Sequence, residues 1–94
     1  MTYKLDFLVE ALKEWKALDA STKVQFKKKL KERLANPRVP SARMSGTTNR
    51  YKIKLRAIGY RLVYEVIDDE VVVIVVAVGK RERNKVYKIA SKRI

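Results

Sequence analysis

From Tyr51 to Ile67 the chain alternates apolar and polar residues with a period of two. Tyr51, Ile53 and Leu55 alternate with Lys52, Lys54 and Arg56. After Ala57-Ile58-Gly59, the residues Tyr60, Leu62, Tyr64 and Val66 alternate with Arg61, Val63, Glu65 and Ile67. Successive side chains of a strand point to opposite faces, so the stretch predicts a β-hairpin with one apolar face. Both apolar sets must share that face, because a slip of one residue sends a set to solvent. A two-residue loop at Ile58-Gly59 meets the condition, with Gly59 free to take a positive φ. It pairs Leu55 with Leu62 and Arg56 with Arg61, and sets Glu65 beside Lys52 as its charge partner. Tyr51, Ile53, Leu55, Leu62 and Tyr64 are then buried, and Lys52, Lys54, Arg56 and Arg61 share the other face. Like charges opposite one another destabilise a hairpin. Either a polyanion compensates them, or the face is a solvated outer sheet surface.

The rest of the pattern supplies the surrounding elements. Tyr3, Leu5 and Phe7 alternate over residues 2–7 and predict a short strand. Leu8, Ala11, Leu12, Trp15 and Leu18 recur at helical spacing over 8–18, with Trp15 read as core. Asp19-Ala-Ser-Thr22 breaks that helix and offers N-caps for a second over 22–35, with Val24, Phe26, Leu30 and Leu34 as its apolar side. Asn36-Pro37 stops it, since a residue before proline avoids the α region. Residues 37–50 hold two prolines, Gly46 and a Ser/Thr/Asn-rich section, and read as a long loop. Asp68-Asp69 turns the chain after the hairpin. Val71 to Val78 is nearly all β-branched and predicts a central strand buried on both faces, ended by Gly79. Residues 84–93 predict a last helix whose thin stripe of Val86, Ile89 and Ala90 anchors it weakly. The order is β-α-α-β-β-β-α. It implies one α+β domain over 1–94, an antiparallel sheet with the two N-terminal helices packed on one face.

Composition sharpens the functional side. The 94 residues carry a net charge of +13, which points to nucleic acid or an acidic protein partner. From Arg33 to Tyr64 there are eight basic residues and no acidic one. Lysines crowd the second helix, where Lys27, Lys28 and Lys31 form a solvated face available to nucleic acid; Arg43, Arg56 and Arg83 extend the basic surface. There is no cysteine and no histidine. That excludes disulfides, thiolate catalysis, every His-containing triad and the commonest metal ligands. No metal or cofactor is expected. The N-terminus lacks a signal-peptide core, and the longest apolar run is too short for a bilayer, so a cytoplasmic protein without membrane contact is expected.

If the cationic face does chemistry, its substrate is a phosphodiester, whose developing negative charge lysine and arginine complement. RNA carries its own nucleophile, the 2′-hydroxyl. Cleavage then needs a base for that hydroxyl, a clamp for the phosphoryl oxygens and help for the leaving 5′-oxygen. Neighbouring cations disfavour the charged form of a lysine, so Lys52 and Lys54, beside Arg61 and Arg81, are the candidate bases. Arg61 is the candidate clamp, and Tyr87 a stacking platform with a hydroxyl available for hydrogen bonding.

The segments Tyr51-Lys-Ile-Lys-Leu-Arg56, Gly59-Tyr-Arg-Leu-Val-Tyr64 and Val78-Gly-Lys-Arg-Glu-Arg83 followed by Val86-Tyr87 resemble the RelE toxins of bacterial toxin–antitoxin pairs. Leu5-Asp-Phe7 and Ala11-Leu-Lys-Glu-Trp15 are similar too, and the likeness covers essentially the whole chain. The resemblance implies a RelE-like microbial ribonuclease fold and an mRNA interferase that cuts messenger RNA in the ribosomal A site. It implies 2′-hydroxyl attack leaving a 2′,3′-cyclic phosphate, with small-subunit rRNA as a contact. It also implies neutralisation by a RelB-like antitoxin, with operator DNA bound only by the toxin–antitoxin complex. The family's catalytic set falls on Lys52, Lys54, Arg61, Arg81 and Tyr87, with Lys54 the usual base and Arg81 the usual proton donor; a charge-stabilising Arg81 is physically easier, because arginine hardly deprotonates. Ser45 departs from the pattern, standing before Gly46 where close relatives carry a basic residue. Two alternatives stay open: a ParE-like gyrase inhibitor, and a non-catalytic basic module that binds nucleic acid. The weak anchoring read for 84–93, with Tyr87 on it, also leads to the expectation that an antitoxin inhibits by displacing or covering this segment.

Overall fold

The structure, a computed structural model, describes residues 2–80, 82 and 85–93. The alternating stretch forms β2 (Arg50–Leu55) and β3 (Tyr60–Ile67), and the valine-rich run forms β4 (Val72–Lys80). These three strands are antiparallel, as their short connections require. The first strand, β1 (Lys4–Phe7), pairs parallel with β4, so the sheet is mixed, with order β1-β4-β3-β2. The antiparallel expectation therefore holds for the last three strands and is corrected for β1. That strand has both helices between itself and the hairpin, long enough to bring it back beside β4 in the same direction.

The predicted register is corrected by two residues. Residues 56–59 form the turn, where Gly59 takes φ +72° and its N–H reaches Leu55 O at 2.9 Å. Leu55 pairs with Tyr60, Ile53 with Leu62, and Lys54 with Arg61. A shift of two keeps every side chain on its face, so Tyr51, Ile53, Leu55, Leu62 and Tyr64 are all buried as expected. Glu65 moves from Lys52 to Arg50, which it meets at 2.8 Å.

Helix α1 (Val9–Lys16) and helix α2 (Ala20–Ala35) cover the apolar sheet face. Asp19 caps α2, its carboxylate accepting the Thr22 N–H at 2.7 Å, so the helix starts two residues earlier than predicted. Phe26 and Leu30, one turn apart, enter the core, and Trp15 packs between Phe7 and Phe26. Val24 is 64% exposed. It stands two positions from Phe26, roughly 200° around the helix, and so points away from the sheet.

The other sheet face is covered as well. Helix α3 (Lys85–Lys92) lays Val86 and Ala90 on Val63, Val76 and Ala77. A β-bulge makes this possible: Val63 pairs with Ala77 and Tyr64 with Val75, leaving Val76 unpaired on β4. Two consecutive residues, Val76 and Ala77, thus join the layer under α3. Gly79 lies within β4 and does not end it.

Arginines tie the loop between α2 and β2 to this frame. Tyr64 is buried and donates to Pro37 O at 2.7 Å, while Arg33 Nη1 donates to Tyr64 Oη at 3.0 Å. Arg38 bonds Thr48 O, Tyr51 Oη, Asn49 Oδ1 and, at 2.6 Å, Asp68 Oδ2, and Tyr3 donates to the other Asp68 oxygen at 2.7 Å. We expect Tyr64→Phe, which strands the Pro37 carbonyl, to lower the unfolding free energy by about 1–3 kcal/mol, measured by urea titration.

The hydrogen bonds from Arg38 and then Tyr3 hold the Asp68 carboxyl below the usual carboxylate range. A carboxyl whose folded pKa is depressed contributes stability that is full above its unfolded pKa and lost as pH falls through its folded pKa. Asp68→Asn is expected to lower Tm at neutral pH, and thermal scans at successively lower pH should show the gap to wild type closing as Asp68 protonates.

Candidate functional site

The alternation of β2 sets Arg50, Lys52 and Lys54 on the sheet face that carries α3. Lys54 stands directly opposite Arg61, and Lys52 opposite Val63. Lys54 is exposed. Arg61 is 7% exposed and donates to its own residue's neighbour, Tyr60 O, at 2.9 Å. A guanidinium removed from water acts through a lower effective dielectric than an exposed one, so Arg61 projects a fixed positive field beside Lys54. Tyr87, on α3, faces Lys52: the ammonium lies 5.7 Å from the ring centroid, in cation–π range. The Tyr87 hydroxyl is buried and has no partner among the described residues, which turns the expectation of a freely available hydroxyl into that of an inward-pointing one.

Of the predicted catalytic set, the structure therefore brings together Lys54 with Arg61 and Lys52 with Tyr87. Arg81, and Arg83 of the predicted RNA-binding set, lie outside the described residues. Arg56 sits in the exposed turn and does not share the strand face, a consequence of the corrected register. Lys27, Lys28 and Lys31 are exposed on α2, in the layer across the sheet from α3. Arg43 is exposed and bridges backbone to backbone with Tyr51.

Sequence reasoning missed Arg33 and Arg50. Arg33 donates to Lys52 O at 3.2 Å and, with Ser41, Ala42, Lys52, Lys54 and Arg56, lines a cavity of about 230 Å³ at the β2 edge. Its helical position gave no hint, because its partners, Lys52 O and Tyr64 Oη, are distant in the chain. Arg50 was assigned to the loop, although the period-two alternation extends to it. Among the described residues no group of His, Cys, Asp and Glu is arranged to hold a metal ion, and no helix is long and apolar enough to cross a membrane.

The model of the family described as the ParE toxin of the type II toxin–antitoxin system parDE matches residues 5–85. The mRNA interferase toxin RelE of Escherichia coli strain K12 is 55% identical over 94 residues, a match covering 100% of this chain and 99% of that protein. This chain belongs to the RelE/ParE toxin family. The full-length identity puts it on the RelE side, although the family model carries the ParE name. The fold agrees: a free variant of the E. coli toxin RelE superposes with a TM-score of 0.91 at 53% identity, covering 100% of this chain and 99% of that one. A chain of the intact E. coli RelBE toxin–antitoxin complex superposes with a TM-score of 0.82 at 54% identity, over 86% of this chain and 99% of that one. In this RelE-like toxin the close seat of α3 depends on Gly79, where an added Cβ would meet Val86 Cγ2 at 3.3 Å. Gly79→Val is expected to push the first turn of α3 off β4. Amide exchange across 85–92 should then accelerate while the helices on the opposite face keep their protection.

Proposed function

We propose that this chain is the toxin of a type II toxin–antitoxin pair, a ribosome-dependent endoribonuclease that cuts messenger RNA in the ribosomal A site and so halts translation. The observation that carries the reading is the direct opposition of Lys54 and Arg61 on a sheet face where Tyr87 stands against Lys52. Residues 1–94 act as one domain, in the cytoplasm where its ribosomal target is found. Its inhibitor is a RelB-like antitoxin, in keeping with the RelBE complex formed by its E. coli relative, and operator DNA is bound by the pair together.

In the proposed reaction Lys54, in its neutral form, takes the proton of the 2′-hydroxyl. The oxygen attacks the adjacent phosphorus, and the bond to the leaving 5′-oxygen breaks. A 2′,3′-cyclic phosphate remains on one fragment, and the 5′-oxygen takes a proton from a solvent water and leaves as a hydroxyl. Arg61 stabilises the extra charge on the phosphoryl oxygens, an electrostatic role that suits a fixed guanidinium. Arg81 adds charge stabilisation at the leaving group. Lys52 supports the positive field and holds the Tyr87 ring, against which the substrate base is positioned. No metal takes part.

The test is single-turnover cleavage on programmed ribosomes. Lys54→Ala is expected to lower the rate about 10²–10⁴-fold, the usual contribution of a general base, with ribosome affinity changed only modestly. A rate near wild type at saturating toxin would reduce Lys54 to a binding residue. End-group analysis should find a 2′,3′-cyclic phosphate. Toxin that binds ribosomes without cutting would instead be a non-catalytic module.

A further inference from the structure

The C-terminal end of α3 is fastened to the same strand that carries the candidate lysines. The last four carbonyls of a helix have no partner within it. Here Arg50 supplies two donors there: Nη1 bonds Ala90 O, and Nη2 bonds Arg93 O at 2.6 Å. Glu65, its cross-strand neighbour, accepts from Nε at 2.8 Å and fixes the plane of the guanidinium. A cation at this position also meets the negative end of the helix dipole. Arg50 is well shielded, its side chain 13% exposed.

The spacing gives this contact its meaning. Arg50 is two residues before Lys52, on the same face of β2. Ala90 is three residues after Tyr87, one turn along α3. The guanidinium therefore joins, by one side chain, the strand holding Lys52 to the helix holding Tyr87, next to the place where those two meet at 5.7 Å. The apolar seat of α3 is small, with Val86 and Ala90 buried and Tyr87 and Ile89 packed part-buried beside them, so its polar ties add to what sets the rotation and slide of the helix.

We propose that Arg50, oriented by Glu65, is a positioning residue for the cleavage reaction: it sets where Tyr87 stands relative to Lys52 and touches neither RNA nor reacting atoms. The proposal rests on the catalytic reading of Tyr87 given above. A helix displaced by about 1 Å is enough to cost up to roughly 10²-fold in rate. Arg50→Lys keeps the charge but loses the planar fork that serves both carbonyls and Glu65 at once, so it too is defective.

The test combines ribosome-programmed cleavage with NMR of toxin labelled with ¹³C in its tyrosine rings. Arg50→Ala and Arg50→Lys are expected to slow single-turnover cleavage about 10–100-fold without a comparable loss of ribosome affinity, and to move the Tyr87 ring resonances. Acting through Tyr87, Arg50→Ala adds no further loss in a Tyr87→Ala background. Asp68→Asn, which weakens the fold elsewhere, leaves rate and resonances unchanged. The proposal is overturned if Arg50→Lys cleaves at the wild-type rate, if the rate falls while the Tyr87 resonances stay in place, or if the two losses multiply. Wild-type cleavage by Tyr87→Ala would refute the catalytic role of Tyr87 instead. The positional claim would then stand or fall on the ring resonances alone.

Discussion

The pairing of Lys54 with Arg61 is the constraint on which the site depends. Two cations opposite one another across an antiparallel pair repel. What holds them there is the reverse side of the same two strands. Tyr51, Ile53, Leu55, Leu62 and Tyr64 are almost wholly buried against α1 and α2, and each large side chain is worth roughly 1.5–3 kcal/mol when removed from water. A slip of one residue forfeits that burial. A slip of two keeps the faces but separates Lys54 from Arg61; the observed register goes with a four-residue turn at 56–59.

The second layer follows from an irregularity in the sheet. Without the bulge at Val76, strict alternation would turn one of Val76 and Ala77 toward α1 and α2. With it, both lie beneath α3, and the bulge carbonyl of Val76 is free to accept Arg93 Nη1 at 2.8 Å. Arg93 also forks onto Glu14 of α1 at 2.8 and 3.2 Å. Helix α3 is thus held by a modest apolar seat and by two arginines, one on each side of its last turn. The expectation of a weakly attached segment accounted for the apolar part and missed the polar one.

The legibility of the sequence followed the range of the interaction concerned. Period-two alternation gave the faces of β2 and β3, because burial of one face enforces it. The β-branched run gave the central position of β4, and Asp19-Ala-Ser-Thr22 marked the start of α2 to within two residues. The turn length at 56–59 was not legible: Gly59 suits both a two-residue and a longer loop, and both preserve the faces. The parallel pairing of β1 was hidden because four residues of strand carry no sign of direction. The roles of Arg33 and Arg50 were hidden for a different reason. Their partners are backbone carbonyls and residues distant in the chain, and composition records only that they are basic. The catalytic candidates came largely from resemblance; the fold adds that one of them, Lys54, stands across the strand pair from the buried guanidinium of Arg61.

The way α3 is held bears on inhibition. A helix anchored by a broad apolar face leaves it only at the cost of exposing that face to water. One anchored through Val86, Ala90 and arginine-to-carbonyl bonds loses less, since water satisfies freed guanidinium and carbonyl groups. A partner segment that covers the Val63, Val76 and Ala77 patch with its own apolar side chains replaces what the helix contributed, and acidic groups on it replace the bonds of Arg50 and Arg93. Exchange of one occupant for another over this patch then carries Tyr87 away from Lys52 while leaving Lys54 and Arg61 paired. We propose that an antitoxin inhibiting by displacement acts on the part of the site held by exchangeable contacts and spares the hairpin, whose register is fixed by the main core.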